Sequence, residues 1–228
     1  MSDVAVSVVL PVHNQADHIR EIVDEHVGAL RRVGRPFEVI LVPNGCRDDS
    51  PAICDALARD NPEVRVVPSD PGGWGRAVRT GLAAARGELL CYTNSARTTS
   101  EELTLLVLYA SVHPGTVVKA NRKIRDHWSR RLGSLLYNLE CRALFDLSNW
   151  DVNGTPKVFP RSCQRLLGLT RNDDLIDAEF NLICREAGYP MLEVPIFSHR
   201  RHGGSSTTSL RSAVRMYWGA WQLKRAHA

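Results

Sequence analysis

The sequence predicts an α/β fold in which a mostly parallel central sheet carries helices on both of its faces. Two observations predict it. Segments rich in β-branched residues alternate with helical segments from the amino terminus to Gly87, and such alternation requires right-handed crossovers between parallel strands. The strand segments are also continuously apolar, as expected for strands covered on both faces. Ligands of such sheets bind beyond the carboxyl ends of the strands, so the loops there form the candidate site.

Local signals place each element of the first half. Residues 72–75 form a glycine-rich loop before an alanine-rich helix, which Gly87 is expected to end in the left-handed conformation. Ser50 caps another helix, with Pro51 at its first position. The acidic pair at 101–102 suits the positive end of a helix dipole. The predicted strands are 4–10, 37–42, 64–67, 88–93 and 116–121, and the predicted helices are 16–32, 50–60, 76–86 and 100–112.

The second half contains a helix that ends near Phe145 and carries one apolar face. We expect this face to pack on the sheet rather than on a membrane. The face consists of Trp128, Leu132, Leu135, Leu136, Leu139 and Ala143. A turn and short strand at 151–159, a helix from about 173 to 188 and a strand at 191–197 follow.

We expect residues 1–206 to form one domain and the carboxyl-terminal segment at 207–228 to form a separate amphipathic helix. Its basic residues adjoin an aromatic-rich stripe, which is the composition of a helix that lies on a membrane surface. Docking of the stripe on the protein itself or on a second subunit is the alternative. The stripe consists of Leu210, Val214, Tyr217 and Trp221, and the adjoining basic face of Arg211, Arg215 and Arg225.

Composition and charge bound the protein class. The 228 residues are 43% hydrophobic and 24% charged, which is an ordinary globular balance with enough chain for a full core. The net charge is +4, and no acidic residue follows Glu193. Basic residues cluster there and at 119–131, which indicates phosphate-bearing partners: a nucleotide, a lipid phosphate, an anionic bilayer or nucleic acid.

Cysteine usage and the amino terminus predict a cytoplasmic protein. The six cysteines contain no C-x-x-C pair and several fall in apolar segments, so we expect reduced core residues. The first residues lack a signal-peptide pattern, and no apolar run approaches ~20 residues. We therefore expect a chain that neither spans a membrane nor is exported.

Five segments give the sequence a family resemblance. They read V-V-L-P-V-H-N at 8–14, L-V-P-N-G-C-R-D at 41–48, G-W-G-R-A-V-R-T-G-L-A-A-A-R-G at 73–87, D-V-N-G-T-P-K-V-F at 151–159 and E-V-P-I-F-S-H-R-R-H-G-G-S at 193–205. In this order they resemble the family 2 glycosyltransferases of GT-A fold, and most closely the dolichyl-phosphate mannose synthase branch of polyprenyl-phosphate sugar transferases. The resemblance covers about residues 4–208.

The resemblance implies an inverting hexosyltransferase that moves a sugar from a nucleotide-diphosphate sugar to an acceptor. The acceptor is a polyprenyl phosphate or a small natural product or nucleoside, and both stay open. We expect no nucleic-acid partner, and leave open a homodimer and peripheral contact with the inner membrane face. The donor site implied consists of Pro11, His13, Asn14, Asn44, Gly73, Gly75, Arg76, Asn94, Ser95, Ala96 and Arg97. The acceptor phosphate site consists of Arg122, Lys123, Asp151, Lys157, Arg200 and His202, and the catalytic residues are Asp177, Glu179 and Arg201.

Two departures from the family pattern affect the cofactor. The family's D-x-D motif, which holds a divalent cation, is Asn94-Ser95-Ala96 here, and the acidic pair that contacts the nucleoside is Pro43-Asn44. Mg²⁺ and Mn²⁺ prefer carboxylate oxygen, and the sequence offers only Asn94 as a weak ligand. Whether either ion is a cofactor therefore stays open. Arg97 could instead place a fixed guanidinium there, with help from Arg122 or Arg200.

Several residues have structural alternatives. His13 fills a loop or contacts the ligand, and Asp151 caps a turn or serves the site. Asp177 and Glu179 suit a helix amino terminus for dipole reasons alone. The absence of a phosphate-binding glycine loop after the first strand argues against a nucleotidyltransferase or a dehydrogenase. A degenerate, non-catalytic nucleotide-sugar binding protein remains the rival to an enzyme.

Overall fold

The computed structural model describes residues 4–124, 128–197 and 210–226. Strand and helix alternate as predicted through the first four strands. The strands are β1 (Val6–Val12), β2 (Phe37–Pro43), β3 (Val64–Val66), β4 (Leu89–Tyr92), β5 (Val117–Ile124), β6 (Lys157–Pro160) and β7 (Met191–Phe197). The helices are α1 (Ile19–Val33), α2 (Ser50–Asp60), α3 (Trp74–Ala84), α4 (Ser100–Val112), α5 (Trp128–Phe145), α6 (Ile176–Glu186) and α7 (Leu210–Ala226), with a 3-10 helix at Gln164–Gly168.

The seven strands form one sheet in the order β3-β2-β1-β4-β6-β5-β7. All neighbouring pairs are parallel except those of β6, which runs antiparallel between β4 and β5. Every residue of β1 is buried, as continuous apolar sequence predicts for a strand covered on both faces. The predicted fold class is confirmed.

The core lies in layers on the two faces of the sheet. One layer packs the sheet against α1, α2 and α4, through residues such as Ile19, Leu57 and Leu103. The opposite layer packs the sheet against α3, the 3-10 helix and α6, through Val78, Leu166 and Phe180 among others. Of the six cysteines, all are free and five are buried, as the apolar segments predict.

The start of α4 agrees with the sequence signals, whereas the end of α3 does not. The predicted start of α4 is confirmed, because Thr99 and Glu102 form a capping box with both hydrogen bonds at 3.2 Å. The predicted left-handed stop at Gly87 is wrong. Helix α3 ends at Ala84, and Ala85 is already extended with φ −68° and ψ 141°. Gly87 is needed because a Cβ there would lie 2.7 Å from the backbone nitrogen of Ser7 in β1.

The expected packing of α5 on the sheet is also wrong in part. Leu135, Leu136 and Leu139 are 47%, 50% and 47% exposed, whereas Tyr137, Cys141 and Phe145 on the opposite side are buried. The buried side joins a third apolar cluster with residues of α6 and α7. These three leucines of the predicted face therefore point outward, and the opposite side of α5 is the one that packs on α6 and α7. The side chains of Trp128 and Leu132 lie outside the described residues.

Helix α7 docks on the protein through its small residues. Ala220 and Leu223 are buried, and a Cβ on Gly219 would lie 2.2 Å from the Cδ1 of Leu175. Of the predicted stripe, Tyr217 contacts α5, whereas Trp221 is 52% exposed; the side chains of Leu210 and Val214 lie outside the described residues. Within the described ranges, no helix is both long and apolar enough to cross a bilayer.

Candidate active site

The candidate site lies along the edge of the sheet where the parallel strands end. Because β6 is antiparallel, its first residue, Lys157, lies opposite Tyr92 at the end of β4 and opposite Lys119 in β5. The loops after β1, β2 and β4 and the charged residues of β5 and β6 thus share one edge, as the sequence predicts for a site at the carboxyl ends of strands.

The loops after β1 and β2 are locked together by a histidine. The Nδ1 of His13 donates to the carbonyl of Asn44 at 2.8 Å, which leaves Nε2 to accept from the Nδ2 of Asn14 at 3.3 Å. Asn14 adopts φ 51° and its side-chain oxygen accepts from the backbone N–H of Arg47 at 2.8 Å. Both His13 and Asn14 remain exposed, so their outer surfaces can contact a ligand.

The amide of Asn44 is an internal brace. It is 5% exposed, and its Nδ2 donates to the carbonyl of Val12 at 2.8 Å while its Oδ1 accepts from the N–H of Gly73 at 3.2 Å. The expected contact between this amide and the nucleoside does not fit these bonds. Asn44 instead fixes the relative position of β1, β2 and the glycine loop.

The glycine loop does not leave the open gap that the sequence suggests. A Cβ on Gly73 would lie 2.7 Å from the carbonyl oxygen of Asn172, and one on Gly75 would lie 2.5 Å from that of Arg171. The N–H of Arg76 at the start of α3 donates to Asn172 at 3.1 Å. The backbone at 171–173 therefore fills the notch, and the two glycines are required because it fits so closely.

The turn after β4 stands where the family carries its metal motif. The Oδ1 of Asn94 accepts from the N–H of Ala96 at 3.1 Å, and the carbonyl of Asn94 accepts from Arg97. Ser95 and Ala96 are buried. The Ser95 hydroxyl lies 2.8 Å from the Oε1 of Gln15 and 3.1 Å from the carbonyl oxygen of Pro11. Pro11 is buried as well.

These residues do not fit a carboxylate-held divalent cation. The turn offers no carboxylate, and its one side-chain amide oxygen already accepts a backbone hydrogen bond. Among residues 4–124, 128–197 and 210–226, no three His, Cys, Asp or Glu side chains are grouped so that they could hold a metal ion.

Asp177 and Lys157 form a buried ion pair beneath the turn. Lys157 is 0% exposed, and its ammonium contacts Asp177 and lies 5.4 Å from the ring centre of Tyr92. Asp177 also accepts from the hydroxyl of Tyr92 at 2.9 Å and from the Nε1 of Trp74 at 3.1 Å. Burial lowers the pKa of Lys157, although the nearby Asp177 opposes this. The expected catalytic role of Asp177 and phosphate role of Lys157 do not fit such burial.

Glu179 holds the loop that fills the glycine notch. It is 1% exposed, and its carboxylate accepts from the hydroxyl and N–H of Thr170, at 2.6 and 2.9 Å, and from the N–H of Arg171 at 2.9 Å. A carboxylate occupied in this way does not fit the expected catalytic role. Its function is to position the backbone at 171–173 against α3.

Arg122 and Asp151 form a partly exposed charged pair at the same edge. The Nε and Nη2 of Arg122 donate to the two carboxylate oxygens of Asp151, both at 2.7 Å. The guanidinium keeps 20% of its side chain exposed. Burial opposes the charge, but Asp151 raises the pKa of Arg122. This bidentate geometry fixes a permanent cation at the edge of the sheet.

Lys119 is a second buried cation under this pair. Its ammonium donates to the carbonyl of Asp151 at 2.5 Å and lies 3.3 Å from a carboxylate oxygen of Glu193. Burial, together with the neighbouring Lys157, lowers the pKa of Lys119 to about 8. Glu193 in turn accepts from the N–H groups of Trp150 and Asp151, so it holds the loop that carries Asp151.

A cavity of about 330 Å³ opens at the ends of β2 and β3. Pro43, Val66 and Pro68 give it apolar walls, and Ser69 and Asp70 give it polar ones. It lies on the same edge as the loops after β1 and β4.

The predicted site residues thus fall into a group that is buried and internally hydrogen-bonded, such as Asn44, Asp177 and Glu179, and a group that reaches the surface. His13, Asn14, Asn94, Arg97 and Arg122 keep exposed surface at the edge. The side chain of Lys123 and residues Arg200, Arg201 and His202 lie outside the described part of the chain. Sequence reasoning missed the supporting groups Gln15, Trp74, Tyr92 and Thr170, because nothing in their local sequence separates a buried hydrogen-bonding side chain from an ordinary core or loop residue.

Comparisons with known proteins show which family the chain matches and which proteins it is similar to. Residues 7–161 match one family model, Glycosyl transferase family 2. An undecaprenyl-phosphate 4-deoxy-4-formamido-L-arabinose transferase of Pseudomonas fluorescens is 26% identical over 210 residues, which are 90% of this chain and 61% of that protein. The transferase of the same description from Pectobacterium atrosepticum is 26% identical over 220 residues, 93% of this chain and 65% of its own. The chain therefore spans less than two thirds of the length of these relatives.

Solved structures support the fold. Glucosyl-3-phosphoglycerate synthase from Mycobacterium tuberculosis, solved with Mn²⁺, uridine diphosphate and phosphoglyceric acid, has a TM-score of 0.73. The match covers 96% of this chain and 78% of that one at 18% sequence identity. At this identity the likeness concerns the fold alone.

Proposed function

Because the chain belongs to glycosyl transferase family 2, we propose that it transfers a sugar from a nucleotide-diphosphate sugar to a polyprenyl phosphate, with inversion at C1. The observation that carries the proposal is the set of polar residues that keep some exposed surface at this edge of the sheet: His13 and Asn14 after β1, Asn94 and Arg97 after β4, and Arg122 in β5. The names of the curated relatives support the polyprenyl phosphate as acceptor.

We expect the nucleotide-sugar donor to lie along this edge, from the cavity at β2 and β3 towards the turn after β4. The cavity at the ends of β2 and β3 takes the nucleoside, and the diphosphate then crosses the end of β1 towards the turn after β4. Neighbouring strands are ~4.8 Å apart, so the cavity and the turn are separated by about 12 Å. That span suits a nucleoside diphosphate, and it places the sugar beside Arg97 and Arg122.

The chemistry needs cations more than it needs a base. A phosphate oxygen of the acceptor attacks C1, the bond from C1 to the donor diphosphate breaks, and the nucleoside diphosphate leaves with the electron pair. The attacking oxygen is already anionic at neutral pH, so no general base has to remove a proton. Arg97 and Arg122 supply fixed positive charge that brings two anions together and stabilises the departing diphosphate.

An ion pair with buried Asp151 keeps Arg122 in place. Asp151 orients Arg122 through two hydrogen bonds, and Glu193 and Lys119 hold the loop of Asp151. Such support fixes the geometry before the substrates bind, which lowers the cost of ordering them. No step is assigned to a metal, because the turn at 94–96 does not fit one.

A non-catalytic nucleotide-sugar binding protein is the second candidate. The absence of carboxylates at 94–96 and the internal hydrogen bonds of Glu179 favour it. Isothermal titration with nucleoside diphosphates, followed by an assay of sugar transfer from a labelled donor to polyprenyl phosphate, separates the two. The proposed function requires that the protein bind nucleoside diphosphate and also transfer the sugar. A protein that binds nucleoside diphosphate but neither transfers the sugar nor hydrolyses the donor would support the second candidate.

A further inference from the structure

Helices α5 and α7 together carry five exposed large apolar side chains. The exposed fractions are 47%, 50% and 47% for Leu135, Leu136 and Leu139 of α5, and 67% and 52% for Trp218 and Trp221 of α7. We name these five residues the outer helix face. Large apolar side chains concentrated in this way on a protein surface mark an interaction site more often than single exposed residues do.

The two helices are joined side by side, so their outward residues share one surface. The hydroxyl of Tyr217 donates to the carbonyl of Gly133 at 3.0 Å, and its ring packs edge-on against Tyr137 at 5.7 Å. The inward residues of both helices, including Ala220 and Leu223, enter the third apolar cluster. The outer helix face is therefore held on a packed support.

The charge of the two helices selects the partner. Together α5 and α7 contain seven Lys and Arg residues and one acidic residue, Glu140. Lys224 and Arg225 are exposed at the end of α7. Trp and Leu flanked by basic residues are the composition of helices that lie in the interface of an anionic bilayer. A second copy of this chain would present the same positive charge and would be repelled at this surface.

We propose that the outer helix face docks on an anionic lipid bilayer, with Trp218 and Trp221 entering the headgroup region and Lys224 and Arg225 contacting lipid phosphates. The indole rings suit this depth because they combine an apolar body with a polar N–H. The docking itself needs neither donor nor transfer.

Vesicle co-sedimentation tests the docking without substrates. The full chain is mixed with phosphatidylcholine vesicles, with or without phosphatidylglycerol, at low and at high salt. We expect pelleting with the anionic vesicles at low salt and release at high salt, because salt screens the attraction of basic residues. The double variant Trp218→Ser and Leu139→Ser should bind at least ~10-fold more weakly. Trp218 is 67% exposed and Leu139 is 47% exposed, so the thermal unfolding of this variant should stay close to that of the parent.

A matched control uses the exposed apolar residues of α4. Leu108 and Val112 are 45% and 70% exposed on a helix outside this surface, so Leu108→Ser with Val112→Ser should leave vesicle binding unchanged. Failure of the parent to pellet at low salt would overturn the proposal, as would equal binding by the α5–α7 variant. Light scattering that shows this variant splitting a dimer, with unchanged vesicle binding, would assign the face to a second copy instead. Loss of sugar transfer alone would affect only the proposed function.

Discussion

Glu179 accepts hydrogen bonds from both the hydroxyl and the N–H of Thr170, at 2.6 and 2.9 Å, and thereby ties α6 to the loop that fills the glycine notch. The notch belongs to α3, whose first turn is bonded to the same loop through Asn172. A carboxylate for which the sequence suggested a catalytic role thus holds the loop that packs against the glycines of α3.

Glu179→Gln should lower the stability and weaken donor binding. A carboxylate accepts from three groups here, whereas an amide brings N–H donors that face other donors. We expect a loss of about 1–3 kcal/mol in the free energy of unfolding, measured with urea. Glu186→Gln on the same helix removes a surface pair with Arg165 and should cost less than ~1 kcal/mol. Equal effects of the two variants would contradict the role of Glu179.

Gly75→Ala tests the fit of the notch. The added Cβ would lie 2.5 and 2.7 Å from the carbonyl oxygens of Arg171 and Asp173, which are backbone atoms and cannot rotate away. We expect a loss of about 1–3 kcal/mol. The control is Gly28→Ala in α1, where the nearest atom is the end of the Arg32 side chain at 3.8 Å. There the helix should gain about 0.5–1 kcal/mol, so opposite signs are predicted in chemical denaturation.

Arg97→Ala should weaken the binding of nucleoside diphosphates. Removal of one charge-assisted contact costs ~1.5–3 kcal/mol, which corresponds to roughly 10- to 100-fold in the dissociation constant. Isothermal titration measures it directly. Arg20→Ala, at a 51% exposed side chain paired with Asp60 across α1 and α2, serves as the control and should bind like the parent. An unchanged affinity in Arg97→Ala would remove this residue from the diphosphate site.

Lys119 should make stability depend on pH in the alkaline range. Burial lowers its pKa from 10.5 to about 8 in the folded protein, so between these values the unfolded chain binds the proton more strongly. The contribution of this group to the free energy of unfolding therefore rises as pH increases from about 8 to about 10.5, by on the order of 3 kcal/mol. The urea midpoint of the parent should therefore rise relative to that of Lys119→Met over this pH range; parallel pH profiles would exclude the shift.

The sequence was sufficient for the order of strands and helices because their signals are local. The capping residues Thr99 and Glu102 set the start of α4, and continuous apolar runs identified strands such as β1 and β2. Tertiary contacts were not accessible in this way. Gly87 was predicted to end a helix, but its role is the close approach of β1, which depends on a chain segment 80 residues away.

For the candidate site, the sequence predicted which loops meet at one edge of the sheet but not which of their charged side chains are buried. The sequence located the strand-end loops, since parallel strands deliver them to one edge, and Arg122 and Asp151 do meet there. It could not tell contact residues from supports. Asp177, Lys157 and Glu179 carry charges that suggest a reaction, yet their burial follows from how α6 packs over β4 and β6, and no local pattern records that packing.

The most direct test of the proposed transfer is the movement of labelled sugar from a panel of nucleotide-diphosphate sugars into polyprenyl phosphate, with EDTA in one arm and Mn²⁺ in the other. Because the turn at 94–96 offers no carboxylate, we expect lipid-linked sugar to form at similar rates in both arms. The Arg97→Ala protein should form it at least ~10-fold more slowly. Transfer that stops with EDTA and returns with Mn²⁺ would contradict the metal-free site, and no transfer from any donor, with nucleoside diphosphate binding intact, would contradict the proposed enzyme.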